Sequence, residues 1–220
     1  MKSLVKYLVS ITVKPVLVKY LSGTRTYRYR NIVLQVPPEV FHPGFFTSTR
    51  MLLRYLQRTP LKGRSFLELG AGSGLLAVYA AQQGAVVTAS DINPASVEIL
   101  SGNARQNGVS LRVLHSDLFD AFPAGAFDVV AINPPYYRRQ PASPKEQAWY
   151  CGAEGEYFQR LFTQLRGFLH ADSDVLMVLC SGCDLAMIGA HAAAGGFVLQ
   201  LVQRRQGILE DHFIYRIETA

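Results

Sequence analysis

Residues 65–108 read SFLELGAGSGLLAVYAAQQGAVVTASDINPASVEILSGNARQNG, and this stretch decides the fold. Phe66 to Leu69 is a short apolar run that reads as a buried strand. The turn Gly70 to Gly74 follows it. A helical pattern then runs from Leu75 to Gln83 and stops at Gly84, a residue suited to the position after a helix. Val86 to Ala89 is a second apolar run. Pro94 stands in the first turn of a second helix, which ends at Asn107 with Gly108 behind it. Strand, helix, strand, helix in direct succession predicts a parallel sheet with helices on its faces.

The alternation continues downstream. Leu111 to Leu114, Phe127 to Ile132 and Val175 to Leu179 are further apolar runs, with a helix over Glu156 to Leu169 between the last two. Leu185 to Ala194 reads as a helix. Strands near Val198 to Gln203 and His212 to Ile217 lack a helix between them, so they form a hairpin that puts an antiparallel strand into the sheet. Upstream, Tyr27 to Val36 alternates as one strand with Arg28 and Arg30 on one side, and Pro37-Pro38 ends it. Thr47 to Gln57 is helical, with Thr47 or Ser48 as its N-cap.

A chain of 220 residues, 49% hydrophobic, fits one domain with a modest extension. We divide it into an N-terminal extension, 1–45, and a main domain, 46–220. The net charge of +6 permits an acidic partner without requiring one. Three cysteines argue against a disulfide scaffold and fit a reducing cytosol. The apolar start is broken by Lys6, Lys14, Pro15 and Lys19, so no membrane span and no signal peptide are expected. Lys2 to Tyr20 reads as a packed helix or strand or a flexible lead-in, or else as a basic amphipathic surface for a partner or membrane.

The strand tips carry the chemistry. Gly70, Gly72 and Gly74 are each two apart, unlike the GxGxxG of a dinucleotide site. Glu68 sits in the strand end just before them, where it repels a pyrophosphate and tolerates a cationic ligand. Asp91, with Ile92 after it, ends the second strand about 20 residues beyond the glycines, where a carboxylate reaches ribose hydroxyls. Capping the helix at Asn93-Pro94 is its plainer use. Asp117 and Leu118 follow the third strand in Ser116-Asp117-Leu118-Phe119, placed to meet an adenine amine and flank its ring. Beyond Ile132 comes Asn133-Pro134-Pro135-Tyr136. Two prolines remove two donors and hold the chain extended, so the strand stops in a stiff loop. An amide, freed carbonyls and an aromatic ring at that place suit a flat, neutral NH₂ group.

In this order, FLELGAGSG, ASDINP, SDLF and INPPYY resemble the motifs of the class I S-adenosylmethionine-dependent methyltransferases over roughly residues 40 to 180. NPPY marks the subset acting on amino groups of planar systems. The resemblance implies a Rossmann-like α/β fold with a mainly parallel seven-stranded sheet, helices on both faces and an antiparallel C-terminal strand. It implies S-adenosyl-L-methionine as cofactor and S-adenosyl-L-homocysteine as product. Glu68, Gly70, Ala71, Gly72 and Gly74 would surround the methionine part, Asp91 and Ile92 the ribose, Asp117 and Leu118 the adenine. Asn133 and the Pro134 carbonyl would accept hydrogen bonds from the target NH₂, Pro135 would stiffen the loop, and Tyr136 would stack on the acceptor.

Two more stretches resemble the HemK-type glutamine methyltransferases: Val40-Phe41-His42-Pro43 with Thr47, which would lie at the cofactor's carboxylate end, and Ala148 to Gly155. The expected acceptor is therefore a protein, a release factor or a ribosomal protein, ahead of nucleic acid, in the cytoplasm. The chain has a short pre-catalytic segment where the bacterial enzymes carry a docking domain, and Arg138-Arg139 is basic. Both keep an RNA or DNA adenine methyltransferase as the alternative. Arg25, Arg28 and Arg30, interleaved with Tyr27 and Tyr29, offer a phosphate-tracking and stacking surface or a merely solvated face. A non-catalytic binding module is the reading from another class, and intact motifs oppose it. Cys180-Ser181-Gly182-Cys183 reads as strand-end packing rather than a zinc or redox site. No metal is expected.

Overall fold

The structure is a computed structural model and describes residues 20–45, 47–143, 146–207 and 210–220. The expected element or basic surface before Tyr20 lies outside the described residues. The strands are β1 (Arg25–Tyr29), β2 (Ile32–Val36), β3 (Ser65–Leu69), β4 (Val86–Asp91), β5 (Arg112–His115), β6 (Val129–Ile132), β7 (Asp174–Cys180), β8 (Phe197–Arg205) and β9 (His212–Thr219). The helices are α1 (Thr47–Leu56), α2 (Leu75–Gln82), α3 (Pro94–Gln106), α4 (Glu156–Leu165) and α5 (Leu185–Ala194).

Seven strands form one sheet in the order β5-β4-β3-β6-β7-β9-β8. Neighbours from β5 to β7 pair in parallel, and β9 pairs antiparallel with both β7 and β8. This is the expected architecture, hairpin included. The chain winds outward from β3 through β4 to β5, then crosses back to lay β6 on the other side of β3. Between β3 and β6 the strand order reverses, and an open α/β sheet binds its ligands outside the carboxyl ends at such a point.

Alternation along each strand divides the core. Phe66 and Ala131 face one layer with Leu52, Leu76 and Leu100 from α1, α2 and α3. Leu67, Leu69 and Ile132 face the other, with Phe158, Leu161 and Ile188 from α4 and α5. The single strand expected over Tyr27 to Val36 is two, a hairpin in which Tyr29 pairs with Ile32. Arg30 makes the turn with φ 53°. The signal was present: the inward positions slip from odd (Tyr27, Tyr29) to even (Ile32, Leu34, Val36) across Arg30-Asn31. Thr47 also opens α1 instead of capping it.

The hairpin belongs to the first core layer, where Ile32, Leu34 and Val36 are buried. Asn103 on α3, itself wholly buried, bonds both the N–H and the carbonyl of Gln35 (2.8 and 3.0 Å) and the Ser73 carbonyl (2.9 Å). One amide thus fastens the hairpin to the glycine turn at the sheet's crest. Among the described residues no helix is long and apolar enough to cross a membrane.

Candidate active site

The turn after β3 has its glycines in the left-handed region, with φ 74° at Gly70, 54° at Gly72 and 83° at Gly74. A side chain would be strained at each. The Gly70 and Ala71 amides both donate to the Ser90 carbonyl (2.9 and 2.8 Å), which seats the turn against β4. Gly74 is the N-cap of α2 and has no side chain to satisfy the helix's first amides. Glu68 does so instead. Its carboxylate accepts from Ala77 N at 2.7 Å, one turn into the helix. Burial pushes the Glu68 pKa up to about 8 despite the Ala77 and Leu76 amides that favour its charge, and the nearby Asp91 pushes the same way.

Asp91 ties the turn to the next helix. One carboxylate oxygen accepts from Gly72 N (2.7 Å) and the other from Asn93 N (2.8 Å). Asn93, not Asp91, caps α3, accepting from Ala95 N at 3.0 Å. Ser96 adds a side-chain hydrogen bond, and the carboxylate still has lone-pair capacity left for a ligand hydroxyl. Burial raises its pKa, with the Asn93 and Gly72 amides opposing.

At the tip of β6 the Asn133 side chain points its amide nitrogen at Thr49 on α1, Nδ2 donating to Oγ1 at 3.1 Å. Among the described residues nothing donates to Asn133 Oδ1 or to the Pro134 carbonyl. Tyr136 is nearly buried against Tyr137, their rings 5.0 Å apart and edge-on. Burial raises the pKa of both phenols, and the acidic neighbours Cys180 and Glu210 add to it. Cys180 closes β7 beneath them, fully buried, as its strand-end reading expects; its sulfur is 3.6 Å from that of Cys183.

The chain leaving this loop zips onto a segment further on. Tyr137 N donates to the Trp149 carbonyl, Cys151 N to the Tyr137 carbonyl (3.0 Å each) and Arg139 N to the Gly152 carbonyl (3.1 Å). That carries Trp149 across the crest until its ring meets Phe41, 5.1 Å between centroids. Arg138 and Arg139 emerge from the same ladder already paired. Arg138 contacts Glu154 (3.2 Å) and Asp184 (3.0 Å), and Arg139 contacts Glu146 (3.5 Å). The basic step in the sequence is therefore locally neutralised.

These pieces line a cleft at the carboxyl ends of β3, β4 and β6. Of the residues expected at the site, Gly70, Gly72, Asp91, Ile92 and Asn133 through Tyr136 line it. Glu68 and Ala71 line a narrower recess that shares Gly70, Gly72 and Asn133 with the cleft. Gly74 shapes the turn from outside the lining. Thr47 lines neither space; Thr49, two residues on, takes the place beside Asn133. Asp117 and Leu118 also fall outside the lining. The Asp117 carboxylate is held by Arg160 at 2.6 Å, and Leu118 is buried in the second core layer. Tyr27 and Tyr29 pack against the core instead of offering stacking faces. The sequence reading missed Thr49, Glu39, Gln147 and the meeting of Phe41 with Trp149.

The cleft fits a nucleoside-bearing cation. A Cβ on Gly70 would project into open space, with nothing within 4 Å, so the turn leaves room where a ligand backbone would pass. Asp91 can still accept hydroxyls, and Glu68 sits behind the turn. Among the described residues no group of three His, Cys, Asp or Glu is placed to hold a metal.

A family model described as "Methyltransferase small domain" matches residues 32–179, more than half of the chain. Over 106 residues the chain is 38% identical to a Methanocaldococcus jannaschii protein named "Putative protein N5-glutamine methyltransferase", a match covering 48% of this chain and 51% of that one. Over 114 residues it is 35% identical to the ribosomal protein L11 methyltransferase of Thermus thermophilus, covering 51% and 45%. The chain thus spans about half the length of these curated relatives. Among solved structures, the T. thermophilus 16S rRNA N2 G1207 methyltransferase with AdoMet and guanosine superposes with a TM-score of 0.68 at 21% identity, covering 90% of this chain and 50% of that one. The E. cuniculi Mtq2–Trm112 complex, which methylates the termination factor eRF1, gives 0.64 at 19%, covering 83% and 99%. At such identities the structures speak to the fold.

Proposed function

The chain belongs to the methyltransferase small domain family, and on that premise we propose that it methylates the side-chain amide nitrogen of a glutamine in a protein, of the release-factor kind. S-adenosylmethionine, when bound, supplies a methyl group made electrophilic by its sulfonium. Gly70, Ala71 and Gly72 would hold its methionine part, Asp91 and Ile92 its ribose, with Glu68 as the buried acid behind the turn. Asp117 would need to exchange its Arg160 partner to reach an adenine.

The observation that carries the reading is the state of Asn133. Its amide is anchored by its nitrogen, so among the described residues Oδ1 and the Pro134 carbonyl are two acceptors without donors at the tip of β6. An amide NH₂ has two donors and a delocalised, weakly nucleophilic lone pair. Accepting both hydrogens fixes the nitrogen's direction and stabilises the positive charge that grows on it during transfer. The acceptor's proton can leave afterwards to water, so no general base is required. Tyr136 offers a flat wall to a planar acceptor.

The M. jannaschii relative's name supports a glutamine acceptor. The pairing of Arg138 and Arg139 with acids, and the inward packing of Tyr27 and Tyr29, weigh against an adenine in nucleic acid. An adenine amine remains the second reading, because the NPPY loop offers it the same two acceptors. The substrate contact we expect from residues 1–45 is part of the proposal. The test is to incubate the protein with methyl-labelled S-adenosylmethionine and either a release factor or bulk RNA. Label on the glutamine of a Gly-Gly-Gln loop is the expected result; label in RNA alone, or none in either, overturns the reading.

A further inference from the structure

A primary amide side chain has two ends of nearly the same size and opposite chemistry. Turned one way, Asn133 shows the cleft a carbonyl; turned the other way, two N–H donors. Only the first orientation receives an acceptor that arrives as an NH₂ group. The prolines that follow hold the backbone of the loop but say nothing about the rotation of the Asn133 amide.

Thr49 is the side chain that the Asn133 amide meets. It lies in the first turn of α1, the residue is buried, and its hydroxyl oxygen receives Asn133 Nδ2 at 3.1 Å from 84 positions away in the chain. It lines the recess that runs from Asn133 to the glycine turn. A hydroxyl both accepts and donates, so this bond fixes the place of the Asn133 side chain and leaves the other end of its amide to the cleft. We infer that Thr49 is a positioning residue: its hydroxyl holds the Asn133 side chain at the tip of β6, where Oδ1 can meet an incoming NH₂ group. This rests on the amide-nitrogen reading above. It goes further by giving the placement of Asn133 a physical origin outside the NPPY loop.

The experiment uses the full chain with Thr49→Val, Thr49→Ser, Asn133→Ala and the Thr49→Val/Asn133→Ala double variant. Valine keeps the shape and removes the acceptor; serine restores it. In the first arm the side-chain amide signal of Asn133 is followed by ¹H–¹⁵N NMR, identified by its loss in Asn133→Ala. Thr49→Val should shift that signal and speed its hydrogen exchange, and Thr49→Ser should leave it near the wild type. In the second arm, turnover on a release-factor fragment carrying its Gly-Gly-Gln loop should fall roughly 3–10-fold in Thr49→Val, the effect of one net hydrogen bond. The KM for S-adenosylmethionine should hold, Thr49→Ser should recover, and Thr49→Val should change nothing further in the Asn133→Ala background. An unchanged Asn133 signal in Thr49→Val, or additive losses in the double variant, overturns the inference. If the wild type leaves the fragment unmethylated, the proposed acceptor is wrong, while the NMR arm still decides the role of Thr49.

Discussion

On the β3–β4 side of the cleft, each group is fixed by residues close to it in the chain. Glu68 caps the helix that begins seven positions later (at Leu75), and Asp91 holds Asn93 two positions on and Gly72 nineteen back. On the β6 side the groups come from far apart. Asn133 is held by Thr49 across 84 positions, and Trp149 meets Phe41 across a longer gap still. A site half local and half tertiary in origin should respond differently to mutation on its two sides: the first in ligand affinity and stability, the second in turnover and acceptor selection.

The largest separation is expected from Asn133→Ala. Removing a preorganised acceptor aimed at developing charge should cost about 10²–10³-fold in kcat, with the Kd for S-adenosylmethionine by calorimetry within a few-fold of wild type. Near-full turnover would break the comparison at its strongest point. Asp91→Ala tests the other side. It frees the Gly72 and Asn93 amides at once, so the turn loses its tie as well as its hydroxyl acceptors. Roughly 1–3 kcal/mol, about 5–150-fold in Kd, is the expected loss. Unchanged affinity would refute the assignment of Asp91 to the ligand.

Glu68 reports on the local side without any ligand. Its folded pKa is raised from 4.5 to about 8, so between those values the folded state binds a proton that the unfolded chain has released. Stability therefore falls as pH rises through this window, by at most about 1.4 kcal/mol per unit from this group, and the slope ends above the folded pKa. Glu68→Gln keeps an oxygen for Ala77 N and cannot ionise, so it should flatten that slope in urea melts from pH 5 to 9. Parallel curves for the two proteins would show that Glu68 is not buried as its contacts require.

The same division governs what could be read from the sequence. The glycine turn, Asp91 and NPPY were legible because each motif carries its own geometry: left-handed φ values, a carboxylate at a strand end, two prolines after an apolar run. The β8–β9 hairpin was legible from a missing helix. Thr49 was not, because a threonine in a helical segment shows its partner only once α1 has been laid across the sheet. Asp117 was read toward an adenine; its capture by Arg160, 43 positions later, is a tertiary event that no local pattern announces. Arg138-Arg139 looked like a basic patch for the same reason, since Glu154, Asp184 and Glu146 reach it only through the ladder after NPPY.

The smallest effect expected belongs to Trp149. Its ring leans on Phe41 at an interplanar angle of 56°, joining the segment before α1 to the one after NPPY over the cleft that both line. Such an aromatic pair contributes about 0.5–1.5 kcal/mol beyond the area it buries. Trp149→Ala should then raise the KM for the protein acceptor by roughly 3–10-fold, leaving kcat at saturation close to wild type, because neither Oδ1 of Asn133 nor the Pro134 carbonyl depends on the ring. Phe41→Ala should do the same, and the two together little more than either, since each removes one half of a single contact. A fall in kcat with KM unchanged would mean that the indole acts on the transfer itself, and the tertiary side of the cleft would then be more than a frame for the acceptor.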